Sequence, residues 1–293
     1  MKKVIIGSRG SDLALWQAHF VKGELEKLNC TVEINIITTQ GDRIQDLSFD
    51  KLEGKGFFTK EIEEALLNKT IDLAVHSHKD LETNPPAGLS IACVSERANP
   101  ADLLLIRNSS VDTTQKWGLK IDAVVGTSSA RRKAQMAHFR NDVTLKDLRG
   151  NVPTRIQKLR DGGYDAILLA KAGIDRLGLD LSEFHCVTLD PTEFVPAPAQ
   201  GVLGLQIRSE DHELHALLQQ MNHDAVQERI GLERRILNLL DGGCQLPLGV
   251  YCTEENVLHV SYAKAFDQPC TVRKYTVSNF DGLAEKVIAD LQV

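Results

Sequence analysis

Several things are missing from this 293-residue chain, and each absence narrows what it can be. No apolar run reaches the roughly 20 residues that a membrane-crossing helix needs, so no membrane partner is expected. The opening MKKVIIGSRGSD lacks the apolar core of a secretory signal. Six cysteines (Cys30, Cys93, Cys186, Cys244, Cys252 and Cys270) form neither a CxxC pair nor a tight framework. Together these point to reduced thiols and a cytoplasmic location. No low-complexity tract occurs, and a net charge of −6 argues against general nucleic-acid binding. What remains is an ordinary soluble composition, 42% apolar and 25% charged, in a chain long enough for two or three domains.

Short apolar runs alternate with helical periodicity, the pattern of an α/β protein. Residues 3–7 read as a buried strand, followed by SRGS and a helix with Leu13, Trp16, Phe20 and Leu28 on one face. Strands are expected over 31–39, 71–77 and 89–96, and a helix over 57–69 with Glu61, Glu63 and Glu64 near its positive end. The plan of residues 4–20 (strand, Gly, hydroxyl, polar loop, helix) returns at 121–139, and that of 61–80 at 154–173. The expected fold is therefore α/β: two similar doubly wound α/β domains facing across a cleft, like a solute-binding protein, with a small α+β C-terminal domain. The expected domains are 1–97 with 201–219, then 98–200, then 220–293. Proline-rich FVPAPAQG (194–201) marks the crossing between units. The tail carries strand patterns in VLHVSYAKAF and CTVRKYTVS and a last helix in FDGLAEKVIADLQ.

Candidate chemistry lies on the loops after strands. In SRGS and GTSSARR a hydroxyl-rich turn opens a helix, where free backbone N–H groups and the helix dipole receive anions. Arg9, Arg131 and Arg132 add guanidinium forks suited to carboxylate or phosphate, and Arg149, Arg155 and Arg176 stand on further turns. An acidic protein with arginine on loop after loop points to a polyanion held in a cleft. The stretch VHSHKDL places His76, His78 and Asp80 at alternate positions, like the start of a zinc hydrolase's HxHxDH signature. Its sixth position is Leu81, and no other histidine continues the pattern. His76 is expected to be a satisfied core residue, and Asp80 a cleft carboxylate just past the strand end. GKGFFTKE lacks the spacing of a nucleotide-binding P-loop, so Lys51 and Lys55 read as loop cations. In LLDGGCQLPLG (239–249) the helical pattern of Ile230, Leu232, Ile236, Leu237 and Leu240 stops at Gly242-Gly243-Cys244. Its local sequence leaves that cysteine as either a functional thiol or a plain loop residue.

Assembled in order, GSRGSDLALWQA, GKGFFTKE, AVHSHKD, VGTSSARR, LRGNVPTR, LAKAGIDRLG, APAQGVLG and GGCQLPLG resemble the porphobilinogen deaminase (hydroxymethylbilane synthase) family over most of the chain. The resemblance implies a monomeric transferase of porphyrin (haem) biosynthesis. It condenses four porphobilinogens stepwise onto an enzyme-bound dipyrromethane, then releases hydroxymethylbilane by hydrolysis, with ammonia lost at each condensation. It implies a covalent dipyrromethane cofactor joined as a thioether to Cys244. Asp80 would be the catalytic carboxylate, stabilising the cation left as ammonia departs and accepting the proton lost on re-aromatisation. Ser77, Lys79, Asp80, Thr127, Ser128, Ser129, Arg131, Arg132, Gly150 and Ala170 would line the cofactor. Arg9, Ser11, Lys55, Arg149, Arg155, Arg176 and Gln200 would take substrate, the growing polypyrrole chain being a polycarboxylate. No metal is expected. The chain departs from the family's habit at His78, where apolar residues are common, and at Pro153 and Lys171, where small or neutral ones are frequent. Two other readings compete: a non-catalytic two-lobed anion-binding protein, and a zinc hydrolase using HSHKD. The first would have no need of Cys244 and Asp80 together.

Overall fold

The computed structural model describes residues 2–43, 59–241 and 245–291. The chain divides into two compact units, Met1–Ala98 with Gly201–Glu228, and Asn99–Gln200 with Arg229–Val293. Among the described residues, no helix is long and apolar enough to cross a membrane.

The first unit is built on β1 (Lys3–Ser8), α1 (Asp12–Lys27), β2 (Thr31–Ile36), the single turn α2 (Gln40–Arg43), α3 (Lys60–Leu67), β3 (Leu73–Ser77) and β4 (Leu89–Val94). The second contributes β5 (Asp102–Arg107), β6 (Val124–Gly126), α4 (Ala130–Phe139), β7 (Thr144–Lys146), α5 (Val152–Arg160), β8 (Ala166–Ala170), α6 (Lys171–Leu177) and β9 (Phe184–Thr188). The chain then adds β10 (Leu203–Arg208) and α7 (His212–Leu218) to the first unit, and continues through α8 (Asp224–Leu239), β11 (Leu248–Cys252), β12 (Val257–Tyr262), β13 (Thr271–Thr276) and α9 (Leu283–Leu291).

The two five-stranded sheets have one topology. In the first the order is β2-β1-β3-β10-β4, and in the second β7-β6-β8-β5-β9. β1 runs parallel to β2 and β3, and β6 runs parallel to β7 and β8. In each sheet a late or early crossing strand, β10 or β5, then pairs antiparallel on both sides. The echo between 4–20 and 121–139 is thus real in three dimensions: β1–α1 and β6–α4 occupy equivalent places. Both sheets are mixed rather than wholly parallel, because the crossing strand enters from the opposite end. The third sheet, β11-β12-β13, is antiparallel and packs a separate core of Leu232, Ile236, Val250, Val260, Val287 and their neighbours. β5 and β11 carry no alternation in the sequence and are new elements relative to the pattern reading.

The expected apolar face of α1 is corrected. The residues it buries are Gln17, Ala18, Val21 and Leu25. Trp16 and Phe20 are 36% and 41% exposed and stack on one another with ring centroids 5.5 Å apart. The difference arises because a polar residue, Gln17, belongs to the buried stripe and two large aromatics do not. The backbone tolerates one glycine-only passage at the crossing: Gly201 has φ +93°, and a Cβ there would meet the Ala98 carbonyl oxygen at 2.5 Å.

Candidate functional site

In the first unit the expected residues gather at the carboxyl ends of β1 and β3, neighbours in the parallel part of the sheet, where α/β proteins place their ligands. Arg9 follows β1 and is half-buried. Ser11 caps α1, its hydroxyl accepting from the Ala14 N–H at 3.4 Å. At the end of β3, Ser77 leads into a single 3-10 turn, His78–Asp80. Three contacts fix that turn. Gln17 donates to the Ser77 hydroxyl at 2.8 Å, the His78 N–H donates to the Val202 carbonyl at 2.9 Å, and Leu81 N–H donates back to His78 at 3.3 Å. The turn carries Lys79 half-buried and Asp80 exposed at the end of a strand that is otherwise buried. A carboxylate presented this way carries no burial cost in the free protein and is accessible to a ligand.

His76, by contrast, is inside the protein. Its ring is 7% exposed and shares a 3.0 Å hydrogen bond with Gln206, which in turn donates to Glu63 at 3.0 Å. Because the Gln206 amide nitrogen is committed to Glu63, its oxygen faces the ring, and His76 Nε2 is the donor. Burial pushes the His76 pKa down to about 4, the Gln206 hydrogen bond opposing. Among the described residues no group of three or more His, Cys, Asp or Glu is placed to hold a metal. His78 is also buried, and its ring packs where a side chain at Gly204 would otherwise stand.

In the second unit the loops after β6, β7 and β8 lie side by side, since β6 pairs with both others. The Ser128 hydroxyl donates to the Leu148 carbonyl at 3.0 Å and accepts from the Leu148 N–H at 3.1 Å, joining the 127–129 turn to the 148–150 turn. Thr127 is buried, and Ser129 caps α4 by accepting from the Arg132 N–H at 3.4 Å. Gly150 has φ +112°, and its carbonyl accepts from Arg155 Nε at 2.7 Å. Arg149 and Arg155 are half-buried. Pro153 falls in the first turn of α5, where its missing N–H costs nothing, and Lys171 pairs with Asp175 at 2.6 Å. Ala170 closes β8 directly opposite Asp102 of β5. Burial lowers the Arg176 pKa.

Arg131 and Arg132, expected on the turn that opens a helix, are tied to a carboxylate of the protein itself. They lie in the first turn of α4, 4% and 6% exposed, around the wholly buried Asp102. Asp102 Oδ2 accepts from Arg131 Nη1 at 2.7 Å, and Oδ1 accepts from Arg132 Nη2 at 2.7 Å and Nε at 3.2 Å. Gln200, also fully buried, donates to the same Oδ1 at 2.9 Å and to the Pro100 carbonyl at 2.8 Å. The reason is local: the turn after β6 is so short that the first residues of α4 meet the start of β5 rather than solvent. Burial alone would raise the Asp102 pKa, and the two guanidiniums override it, holding the carboxyl well below the usual carboxylate range. Arg132 completes its set by donating Nη1 to the Leu168 carbonyl at 3.0 Å. Arg131 gives Nη1 also to the Val195 carbonyl at 2.9 Å, while its buried Nε has no partner.

Asp102, Gln17 and Gln206 are residues that sequence reasoning missed. An aspartate heading the apolar run Leu103–Ile106 was the available signal for Asp102, since a charge there needs a buried counter-charge. Lys55 and Cys244 lie outside the described residues. Of the other cysteines, Cys30, Cys93 and Cys252 are buried, Cys270 is half-buried and Cys186 is exposed, all as free thiols.

The sequence profile described as "Porphobilinogen deaminase, dipyromethane cofactor binding domain" matches residues 4–216. Porphobilinogen deaminase of Neisseria meningitidis serogroup B is 44% identical over 259 residues, 88% of this chain and 81% of that protein. The Bacillus subtilis protein of the same name is 44% identical over 256 residues, 86% of this chain and 79% of that one. Among solved structures, a Salmonella typhimurium periplasmic binding protein of high arginine specificity aligns with a TM-score of 0.42 and 10% identity, covering 75% of this chain and 92% of that one. An amino acid transporter substrate-binding protein from Streptococcus pneumoniae aligns with a TM-score of 0.38 and 12% identity, over 77% and 88%. These structural likenesses are too weak to bear on function. The sequence matches are not: this chain belongs to the porphobilinogen deaminase family.

Proposed function

We propose that the chain carries a dipyrromethane on Cys244 and uses Asp80 to condense porphobilinogen onto it, four units in succession, in tetrapyrrole biosynthesis. The observation that carries this reading is the presentation of Asp80. A family member places a carboxylate, exposed, on a turn fixed by Gln17, Val202 and the strand beneath it. There the carboxylate offsets the positive charge that develops on a pyrrole as ammonia leaves, and takes the proton released when the ring regains aromaticity.

The donor set fits a cofactor that bears carboxylates. Two guanidiniums share one aspartate, leaving a net positive charge, and Arg131 Nε is a buried cationic donor with no acceptor. Such a group is costly unless an anionic acceptor reaches it. Ser77, Lys79, Thr127, Ser128, Ser129, Arg131, Arg132, Gly150 and Ala170 would hold the group, which supplies a nucleophilic pyrrole carbon when bound. Arg9, Ser11, Lys55, Arg149, Arg155, Arg176 and Gln200 would hold the carboxylates of incoming substrate. The division we propose is 1–97 with 201–219, then 98–200, then 220–293; the shared strand order of the two mixed sheets supports treating the first two as similar domains.

Intact mass of the denatured protein tests the reading. A fixed increment on the peptide containing Cys244 is expected; an increment elsewhere, or none, overturns it.

A further inference from the structure

Resting on that reading, we infer that Asp102 is a positioning residue for the cofactor site: it fixes Arg131 by one terminal nitrogen and leaves the buried side edge of that guanidinium without a protein acceptor, for a carboxylate to take. The argument is a division of labour between two adjacent arginines. Arg132 gives Nε, Nη1 and Nη2 to protein oxygens, two of them to Asp102 Oδ1. Arg131 gives only Nη1, shared between Asp102 Oδ2 and the Val195 carbonyl. Its Nε is buried without an acceptor, and no described residue accepts from Nη2. Nε–H and the near Nη2–H are the two parallel donors of a guanidinium's side edge, the geometry that grips a carboxylate with two hydrogen bonds. Arg131 thus has a side edge that the protein does not use, whereas Arg132, whose charge and remaining N–H groups would still serve the cofactor, has every nitrogen tied to a protein oxygen.

Asp102 decides which edge is left over. Its Oδ2 takes Nη1 at 2.7 Å, while its Oδ1 is saturated by Arg132 and Gln200. Gln135 prevents the Val195 carbonyl from drifting, donating to it at 2.8 Å and accepting from the Val195 N–H at 2.6 Å. Two acceptors on one nitrogen, each itself fixed, allow a single orientation of the guanidinium plane. An amide at position 102 would offer one oxygen where the carboxylate offers two. Its nitrogen would face a guanidinium as donor against donor, and Arg131 would lose the anchor that orients it.

The test is a double-mutant cycle on the full chain, read by mass rather than by turnover. Apo-protein is incubated with porphobilinogen, and the concentration giving half-maximal gain of the cofactor mass is measured for Asp102→Asn, Arg131→Lys and the double variant, with a melting temperature for each. If Asp102 acts through Arg131, Asp102→Asn raises that concentration at least tenfold in the parent. In the Arg131→Lys background, where the fork is already gone, it changes it less than twofold. The same fold-change in both backgrounds, or loading of Asp102→Asn at the parent concentration, overturns the assignment. Should Asp102→Asn not fold, Asp102→Asn/Arg132→Gln removes one charge of each sign. Its loading is compared with that of Arg132→Gln alone: a further loss of at least tenfold is expected, and equal loading of the two overturns the assignment. A parent chain that gains no mass removes the cofactor reading and this role with it. A parent that loads, with both backgrounds responding alike, removes only the role of Asp102.

Discussion

Gln17 and Ser77 lie 60 residues apart in sequence and share a 2.8 Å hydrogen bond, the amide nitrogen donating to the hydroxyl oxygen. That contact runs from the buried face of α1 to the strand end that bears Asp80. Gln17→Leu keeps the volume and removes the donor. Losing one such bond costs about 1 kcal/mol, so a fall in melting temperature of a few degrees is expected. Porphobilinogen turnover should fall by up to about tenfold as the turn loosens. Ammonia release measured beside a thermal melt checks it, and unchanged turnover would show that the turn holds itself.

Cys244→Ser is expected to fold, since a hydroxyl replaces a thiol of similar size, but not to retain the cofactor after denaturation. The measurement is the intact mass of parent and variant. A Cys244→Ser chain still carrying the increment would place the attachment elsewhere.

Asp80→Asn keeps the shape of the exposed turn and removes the charge. Folding and cofactor attachment should survive. Turnover should drop on the order of a hundredfold to a thousandfold, as when one preorganised electrostatic partner is lost. Asp80→Glu, with its charge displaced, should keep a small residual activity. Turnover of Asp80→Asn within a few-fold of the parent would remove Asp80 from the chemistry.

Glu233 of α8 is wholly buried and accepts from two backbone N–H groups, Ala199 at 2.7 Å and Cys252 at 2.9 Å. Glu233→Ala strands both donors, a loss of roughly 2–6 kcal/mol. Glu233→Gln retains one good acceptor and should lose less than half of that. Denaturant midpoints of the two variants decide, and equal midpoints would contradict the account.

His76 gives a pH signature. Its pKa is lowered in the folded protein from 6.5 to about 4, burial being the cause. The unfolded chain therefore binds the proton first. Its stabilising contribution is complete above the unfolded value, declines as pH falls through the window between the two values, and is gone below the folded one. The integrated effect is roughly 3–4 kcal/mol at most. His76→Gln should flatten the pH dependence of stability between pH 6.5 and 4 relative to the parent. Parallel slopes in denaturant melts at several pH values would exclude this.

Much of the architecture was legible because its signals are local. Buried strands such as β1 and β3 are short apolar runs, and helix starts are marked by Ser11, Ser129 and Asn151, all of which cap. Asp80 could be read as exposed because it stands just past such a run. What the sequence could not show are long-range polar pairings. Asp102 finds Arg131 and Arg132 about a third of a domain later, and Gln200 nearly a hundred residues on. No periodicity reports those meetings. Pattern reading assigns this pair to a bound anion at a helix start and has no means of seeing the buried aspartate that the two also share. It equates aromatics with the core, so it buried Trp16 and Phe20.

The way β10 is inserted has a consequence for synthesis of the chain. Among the described residues β4 pairs only with β10, and β10 also pairs with β3 on the side away from β1. A nascent chain emerging from the ribosome therefore presents residues 89–94 with no neighbour until residues 203–208 follow them out. At the usual speed of about 5–20 residues per second, that leaves one apolar strand unzipped for several seconds. Meanwhile the sheet β7-β6-β8-β5-β9 can close on its own, since every strand it needs lies between residues 102 and 188. Of the two five-stranded sheets, the N-terminal one is begun first and completed last.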